Sequence, residues 1–137
     1  MIRLLGPNWN MYDFHMLKIR LGAIGLDCAD PGPLSDFWAE LLGGDIIFNS
    51  EDIAIVKLDH LLLNAYRVED YAPPMWPQGP VPKQAHIDLD VDDLEQAEKR
   101  AISLGAVRAE TQPDPDRHLV LLDPAGHPFC LSTNFPK

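Results

Sequence analysis

The feature that most constrains this chain is an internal repeat at a spacing of 63 residues. The segment AIGLDCAD (23–30) aligns with HIDLDVDD (86–93), with isoleucine, leucine and aspartate recurring at matching positions. Both segments alternate apolar and polar residues, which is typical of a strand with one buried face. A self-similar unit of this length predicts two copies of one supersecondary structure.

Each copy continues into an amphipathic helix with identifiable ends. The runs 31–44 and 94–106 carry apolar residues at helical spacing, and both close on a Leu-Gly pair. Asp30 and Asp93 stand where N-caps belong. Three short strand-like runs follow each helix, at residues 45–50, 52–59, 60–68, 106–110, 118–123 and 127–132. The order strand, helix and three strands (βαβββ) therefore occurs twice.

A proline-rich stretch separates the two copies. Residues 71–83, YAPPMWPQGPVPK, hold five prolines, which favours an extended linker over a helix or a strand ladder. The predicted organisation is an N-terminal extension (1–18), a first module (19–70), this linker and a second module (84–137). We predict an α+β fold in which the two tandem βαβββ modules form a curved open mixed sheet, with helices on its outer face.

Composition narrows the class of ligand. The 137-residue chain has a formal net charge of −10, which disfavours nucleic acid and anionic membranes as partners and leaves a small molecule as the expected ligand. No apolar run reaches the ~18 residues of a membrane span, and no signal-peptide pattern opens the sequence, so a cytoplasmic location is expected. Cys28 and Cys130 are too few for a disulfide framework and too far apart for a CxxC site, which predicts free thiols.

The alternation assigns a direction to each side chain of the repeated strands. Six residues should face the concave side of the sheet: Ala23, Gly25, Asp27, His86, Asp88 and Asp90. Six should pack under the helices: Ile24, Leu26, Cys28, Ile87, Leu89 and Val91. A concave polar face bounded by two modules is a natural place for a small ligand.

Longer motifs give a resemblance to a known family. The second half, HIDLDVDDLEQAEKRAISLGA followed by HLVLLDPAGHPFCLS, resembles the glyoxalase/bleomycin-resistance module of the vicinal oxygen chelate superfamily. The likeness covers roughly residues 19–133, and LDCADP and LLDPAGHPFCL are similar to small bacterial glyoxalase-like domain proteins. The resemblance implies a small-molecule ligand, homodimers, and a divalent ion held by the first and last strands of each module.

The residues at those ligand positions depart from the family pattern. His86 fits the first-strand position of the second module, whereas Ala23, at the matching position of the first, has no donor. Cys130 stands where the resemblance implies a glutamate, and the first module offers Asn64 or Tyr66. We therefore predict no metal ligands and no cofactor.

A divalent ion stays open as an alternative. His86 with Cys130 would suit zinc, and His86 with Asp88 and Asp27 would suit a harder ion.

Several candidate residues have two interpretations. His86 either contacts a ligand or only hydrogen-bonds in a wet cleft. Asp27 and Asp90 form an acid/base pair if they are close, and otherwise accept hydrogen bonds at the module junction. Cys130 is either a small buried filler or a nucleophile. Trp76, in the linker, either covers one end of the cleft or fills a gap beneath the crossover.

Three functions are compatible with these sequence features. The preferred one is small-molecule binding in the concave cleft without the full metal site, and no catalytic residue is assigned. The alternatives are a metal-dependent lyase, isomerase or dioxygenase, and a structural or regulatory domain. The predicted ligand-binding residues are Gly25, Asp27, Tyr66, Trp76, His86, Asp88 and Cys130.

Overall fold

The computed structural model describes residues 17–137, so the predicted N-terminal extension (1–18) lies almost wholly outside the described residues. Within them the elements follow the predicted order. They are β1 (Ala23–Cys28), α1 (Pro31–Leu42), β2 (Asp45–Asn49), β3 (Ile53–Lys57), β4 (Leu62–Arg67), β5 (Ile87–Asp90), α2 (Leu94–Ser103), β6 (Val107–Arg108), β7 (His118–Leu122) and β8 (Pro128–Ser132). The doubled βαβββ order is confirmed.

Both helices begin where the sequence predicts. The Asp30 carboxylate accepts a hydrogen bond from the Gly32 amide at 3.2 Å, and that of Asp93 accepts one from the Gln96 amide at 3.0 Å. Such caps satisfy backbone donors that have no partner within the helix. Helix α1 ends at Gly43, whose φ of 67° is in the left-handed region that glycine enters without steric cost.

Each module forms its own four-stranded mixed sheet. The strand orders are β1-β4-β3-β2 and β5-β8-β7-β6, and in both sheets the first strand runs parallel to the last. The α+β class with two βαβββ modules is confirmed. In one detail the structure differs from expectation, because the described residues form two separate sheets where one continuous curved sheet was predicted.

The reason for two sheets is a core that both modules share. Phe37 and Trp38 of α1 are fully buried, and their rings lie 5.8 and 5.1 Å from the ring of Phe129 on β8. The Trp38 indole also donates a hydrogen bond to the Asp123 carboxylate of the second module at 3.1 Å. The helix-covered faces of both sheets therefore meet in one core, and their opposite faces, called here the outer faces, are directed away from it.

The predicted direction of the strand residues holds in both modules. The shared core or its packed margin includes Leu26, Cys28, Ile87, Leu89 and Val91. Within one chain Asp27 and Asp90 lie on the outer faces of different sheets, and Asp90 binds the Lys137 ammonium at 3.0 Å. None of the helices in residues 17–137 is long and apolar enough to cross a membrane.

Candidate functional site

A cavity of about 350 Å³ opens on the outer face of the second sheet. Its apolar wall is formed by Trp76, Val120 and Phe135. Its polar lining includes Lys83, His86, Asp88, His118, Cys130 and Ser132. The cavity thus combines an aromatic wall with several groups able to donate or accept hydrogen bonds, which is the usual composition of a ligand site.

Strand register brings the polar groups together. Asp88 on β5 is paired with Cys130 on β8, and Cys130 is paired with Val120 on β7. Paired residues of a sheet project to the same face, so all three project to the outer face. His86 precedes Asp88 by two residues and contacts both Asp88 and Cys130.

The three polar side chains form a hydrogen-bonded chain centred on the imidazole. His86 Nδ1 lies 3.2 Å from Asp88 Oδ1, and His86 Nε2 lies 3.4 Å from Cys130 Sγ. Because a carboxylate only accepts hydrogen bonds, this contact favours the proton on Nδ1 and leaves the Nε2 lone pair directed at the thiol. Asp88 is therefore placed to orient the ring, and the ring to accept the thiol proton.

The thiol at the end of this chain is in its protonated form at rest. Burial is the main cause that raises the pKa of Cys130 to about 11; the charge of Asp88 raises it further and that of Lys83 opposes the rise. At neutral pH the Cys130 sulfur therefore carries a proton that it can donate to His86.

The linker supplies the aromatic wall of the cavity. Trp76 packs against a small apolar cluster of Ala109, Val120 and Cys130 on the outer face of the second sheet. Trp76 thus lies against the sheet surface and lines the cavity beside the polar groups.

The other predicted ligand residues lie on the first sheet. Gly25, Asp27 and Tyr66 are on its outer face, and the Tyr66 ring lies over Gly25, where an added Cβ would be 2.5 Å from Tyr66 Cε2. The Asn64 amide donates to the Tyr66 hydroxyl at 2.9 Å, whereas its buried Oδ1 accepts no hydrogen bond from the described residues. Within one chain, the predicted set is thus divided into a group of four in the cavity and a group of three outside it.

Gly25 and Asp27 border a smaller cavity of about 260 Å³, together with Tyr71 and His127. There His127 Nε2 donates to the Asp27 carbonyl at 2.6 Å, and the Tyr71 hydroxyl donates to the Ala125 carbonyl at 2.7 Å. These bonds tie the linker and the second module to the end of β1, which gives His127 a structural role at the junction.

Lys83, His118 and Phe135 also line the cavity and were not among the ligand-binding residues predicted from the sequence. His118 was detectable in principle, because it stands two residues before Val120 on the same strand and therefore shares its face. Lys83 and Phe135 lie in irregular segments that follow no period, and only the tertiary structure places them beside the sheet.

Comparisons with known proteins agree with this architecture. The sequence model of a family described as glyoxalase-like domain matches residues 23–132. Among solved structures, the fosfomycin resistance protein FosX from Mesorhizobium loti is 15% identical, with a TM-score of 0.64 over 87% of this chain and 94% of that one. A glyoxalase-related enzyme from Fulvimarina pelagi is 16% identical, with a TM-score of 0.60 over 82% and 86%.

A third similar structure is a lactoylglutathione lyase from Agrobacterium tumefaciens, 15% identical, with a TM-score of 0.56 over 82% of this chain and 92% of that one. At such identities the likeness establishes the fold alone. The search of curated proteins finds no match to this chain.

The donors present depart from the set with which the vicinal oxygen chelate fold is expected to hold a divalent ion. One donor atom each from His86, Asp88 and Cys130 lies within 4.8 Å of the others. In this geometry the imidazole contacts Asp88 through Nδ1 and Cys130 through Nε2, so the three donors are hydrogen-bonded to one another. Cys130 supplies a thiol where the family pattern has a carboxylate, and a thiol suits softer ions than a carboxylate does.

The first module does not complete the set. The pairing Gly25↔Asn64 matches Asp88↔Cys130 in the second module, so Asn64 is the counterpart of Cys130 and Ala23 that of His86. A methyl group cannot ligate, and the Asn64 amide is a weaker ligand than the family glutamate.

Proposed function

Because this chain belongs to the glyoxalase-like domain family of the vicinal oxygen chelate superfamily, we propose that it binds a small molecule in the cavity beneath Trp76, without the superfamily's full metal site. The observation that carries the proposal is the meeting of an aromatic wall and a polar chain, Asp88–His86–Cys130, in one cavity. Groups of these two kinds recognise a ligand with an apolar body and one polar end.

The cavity limits the size and charge of that ligand. A volume of about 350 Å³ lies at the small end of ligand sites. The chain's net charge of −10 repels polyanions at long range. Lys83 supplies one positive charge at the cavity edge. A compact aromatic or conjugated molecule with a single carbonyl or hydroxyl group satisfies these conditions.

The proposal also includes a homodimer. Among the described residues β1 is paired only with β4 and β5 only with β8, so each sheet has a bare edge formed by its first strand. Exposed edge strands present unpaired backbone groups that favour pairing with another chain. Joining β1 of one subunit to β5 of the other would bring Gly25, Asp27 and Tyr66 beside the cavity of the second subunit.

We place this function in the cytoplasm. Cys28 and Cys130 are both free thiols, and free buried thiols are typical of proteins kept in a reducing compartment.

Ligand-observed NMR with a library of aromatic fragments tests the binding proposal. Fragments that bind the wild type should lose saturation transfer in Trp76→Ala, because that change removes the cavity wall. Phe48→Ala is the matched control, since it removes an exposed aromatic ring from β2, the strand at the opposite edge of the first sheet from β1. Retained fragment binding in Trp76→Ala would refute the proposed location of the binding site. Elemental analysis that finds one metal ion per chain would refute the proposal that the protein acts without the superfamily's full metal site.

Light scattering coupled to size-exclusion chromatography tests the assembly. We expect a mass twice the 15.3 kDa of one chain. A mass of one chain at micromolar concentration would refute the paired edges.

A further inference from the structure

Cys130 stands in an arrangement that its repeat partner and the other cysteine both lack. Its sulfur lies 3.4 Å from His86 Nε2, and the opposite ring nitrogen lies 3.2 Å from Asp88. A nucleophile within reach of a base, with the base oriented by a third group, is the geometry of nucleophilic catalysis by serine and cysteine. From this geometry we propose that Cys130, with His86 as base and Asp88 as positioning residue, captures an electrophilic small molecule covalently.

This inference rests on the proposed function, because the electrophile must first occupy the cavity. It also narrows the ligand class to flat, conjugated carbonyl compounds with an electrophilic carbon. Trp76 and Val120 form the apolar wall against which such a molecule packs, next to the sulfur. Lys83 and His118 line the same cavity and are donors available to a carbonyl oxygen.

The resting state of the thiol makes a base necessary. Burial raises the pKa of Cys130 to about 11, so almost no thiolate is present at neutral pH without assistance. The charged and titratable groups that line the cavity with the thiol are Asp88 from β5, His86 immediately before that strand, Lys83 from the linker and His118 from β7. Of these, His86 alone is in hydrogen-bond contact with the sulfur.

The step balances without an oxidant or a further reactant. The thiol proton moves to His86 Nε2 as the sulfur electron pair forms a bond to the β-carbon of an α,β-unsaturated carbonyl. The π electrons of the carbon–carbon double bond move to the carbonyl oxygen as an enolate. The imidazolium then returns the proton to the α-carbon, and the product is a thioether.

Cys28 is an internal control for the effect of the imidazole on thiol reactivity. It also borders a cavity, of about 310 Å³, and burial likewise raises its pKa to about 11. Its thiol donates to the Tyr66 carbonyl at 3.3 Å instead of to an imidazole. Both cysteines are buried, at 1% and 7% exposure, and of the two only Cys130 has an imidazole beside its sulfur.

The experiment follows alkylation of the intact wild-type chain by N-ethylmaleimide, with peptide mass spectrometry to assign each site. General-base assistance contributes about 100-fold or more, so Cys130 should react at least about tenfold faster than Cys28 at pH 7.5. In His86→Gln the alkylation rate of Cys130 should fall to that of Cys28. It should then increase with pH only as the pH approaches the raised pKa of the thiol, about 11. Asp88→Asn, which keeps a hydrogen-bond acceptor, should give an intermediate rate, and Asp88→Ala a lower one.

Equal rates for the two cysteines, or a pH profile unchanged in His86→Gln, would overturn the inference. Circular dichroism of each variant shows whether it is folded, and Cys130→Ser should form no rapid adduct. If fragments bind in a Trp76-dependent manner but Cys130 reacts no faster than Cys28, only the covalent step fails. If Cys130 reacts rapidly but no fragment binds, the reversible-binding proposal fails instead.

Discussion

The hydrogen bond between Trp38 and Asp123 is expected to couple the two modules energetically. It joins helix α1 of the first module to the loop before β8 of the second, and both side chains are buried. Asp123 also accepts bonds from the amides of Ala125 and His127, each at 2.9 Å, through its other oxygen. Burial raises the pKa of Asp123 despite these bonds, so its charge is costly when a partner is lost.

Trp38→Phe removes the indole donor and leaves one carboxylate oxygen buried without it. Loss of a hydrogen bond to a charged group costs about 2 kcal/mol, and the smaller ring forfeits about 1 kcal/mol of apolar burial. The total of about 3 kcal/mol corresponds to a fall of about 10 °C in Tm for a chain of this size. Asp123→Asn keeps one acceptor oxygen but presents an amide N–H to the indole, which costs about 1–2 kcal/mol.

Urea unfolding of the wild type, both single variants and the double variant measures the coupling. Since the double variant loses the bond only once, its destabilisation should fall short of the sum of the singles by about 1.5 kcal/mol. Ala101→Gly, in the buried face of α2, is a control for general weakening of the core. Its effect on the free energy of unfolding should add to that of Trp38→Phe, with no coupling between the two substitutions. A Trp38–Asp123 coupling below about 0.5 kcal/mol would show that this bond does not connect the modules.

Three further predictions concern the free energy of unfolding. Burial raises the pKa of Tyr71 from 10.0 to about 12, so Tyr71 ionises at lower pH in the unfolded state and the free energy of unfolding falls as pH rises from about 10 to 12. Tyr71→Phe should reduce this fall in urea unfolding measured across that pH range, and an unchanged pH dependence would contradict the assignment to Tyr71. Gly25→Ala should lower the free energy of unfolding by about 1 kcal/mol, because the added methyl group would clash with the Tyr66 ring. In a Tyr66→Ala background the same substitution should cost less, and urea unfolding curves with an equal cost in both backgrounds would refute the clash. Gly43→Ala should cost about 1 kcal/mol because φ there is 67°; a neutral effect would mean that the helix end rearranges.

Much of the fold could be predicted from local chemistry. The N-terminal ends of the helices, at Asp30 and Asp93, could be predicted from capping chemistry. The sheet face on which residues such as Leu89 and Asp88 lie could be predicted from the two-residue alternation of a strand. These features depend on neighbours in sequence, so a pattern of a few residues contains the necessary information. The candidate site was predicted in part for the same reason, since His86 and Asp88 lie on one strand face.

The rest required contacts between distant residues. The chain Asp88–His86–Cys130 depends on the register between β5 and β8, which no local pattern specifies to one residue. The separation of Gly25, Asp27 and Tyr66 from that chain depends on how the modules pack. In both modules the helix-covered face of the sheet is apolar and the outer face is mixed. Those apolar faces could be buried in two ways, by sheets lying side by side or by packing of the two helix-covered faces in one core, so the sequence pattern does not choose between them.

The sequence by itself determined two βαβββ modules, their helix ends and the face on which each strand residue lies, because these follow from chain-local periodicity and capping. Only the tertiary structure decided that Phe37 and Trp38 reach Phe129 and Asp123, that the two sheets are separate, and that Trp76 covers Cys130. The physical reason is that large side chains bury the most area where distant segments meet, and the choice among such meetings is made by packing in three dimensions.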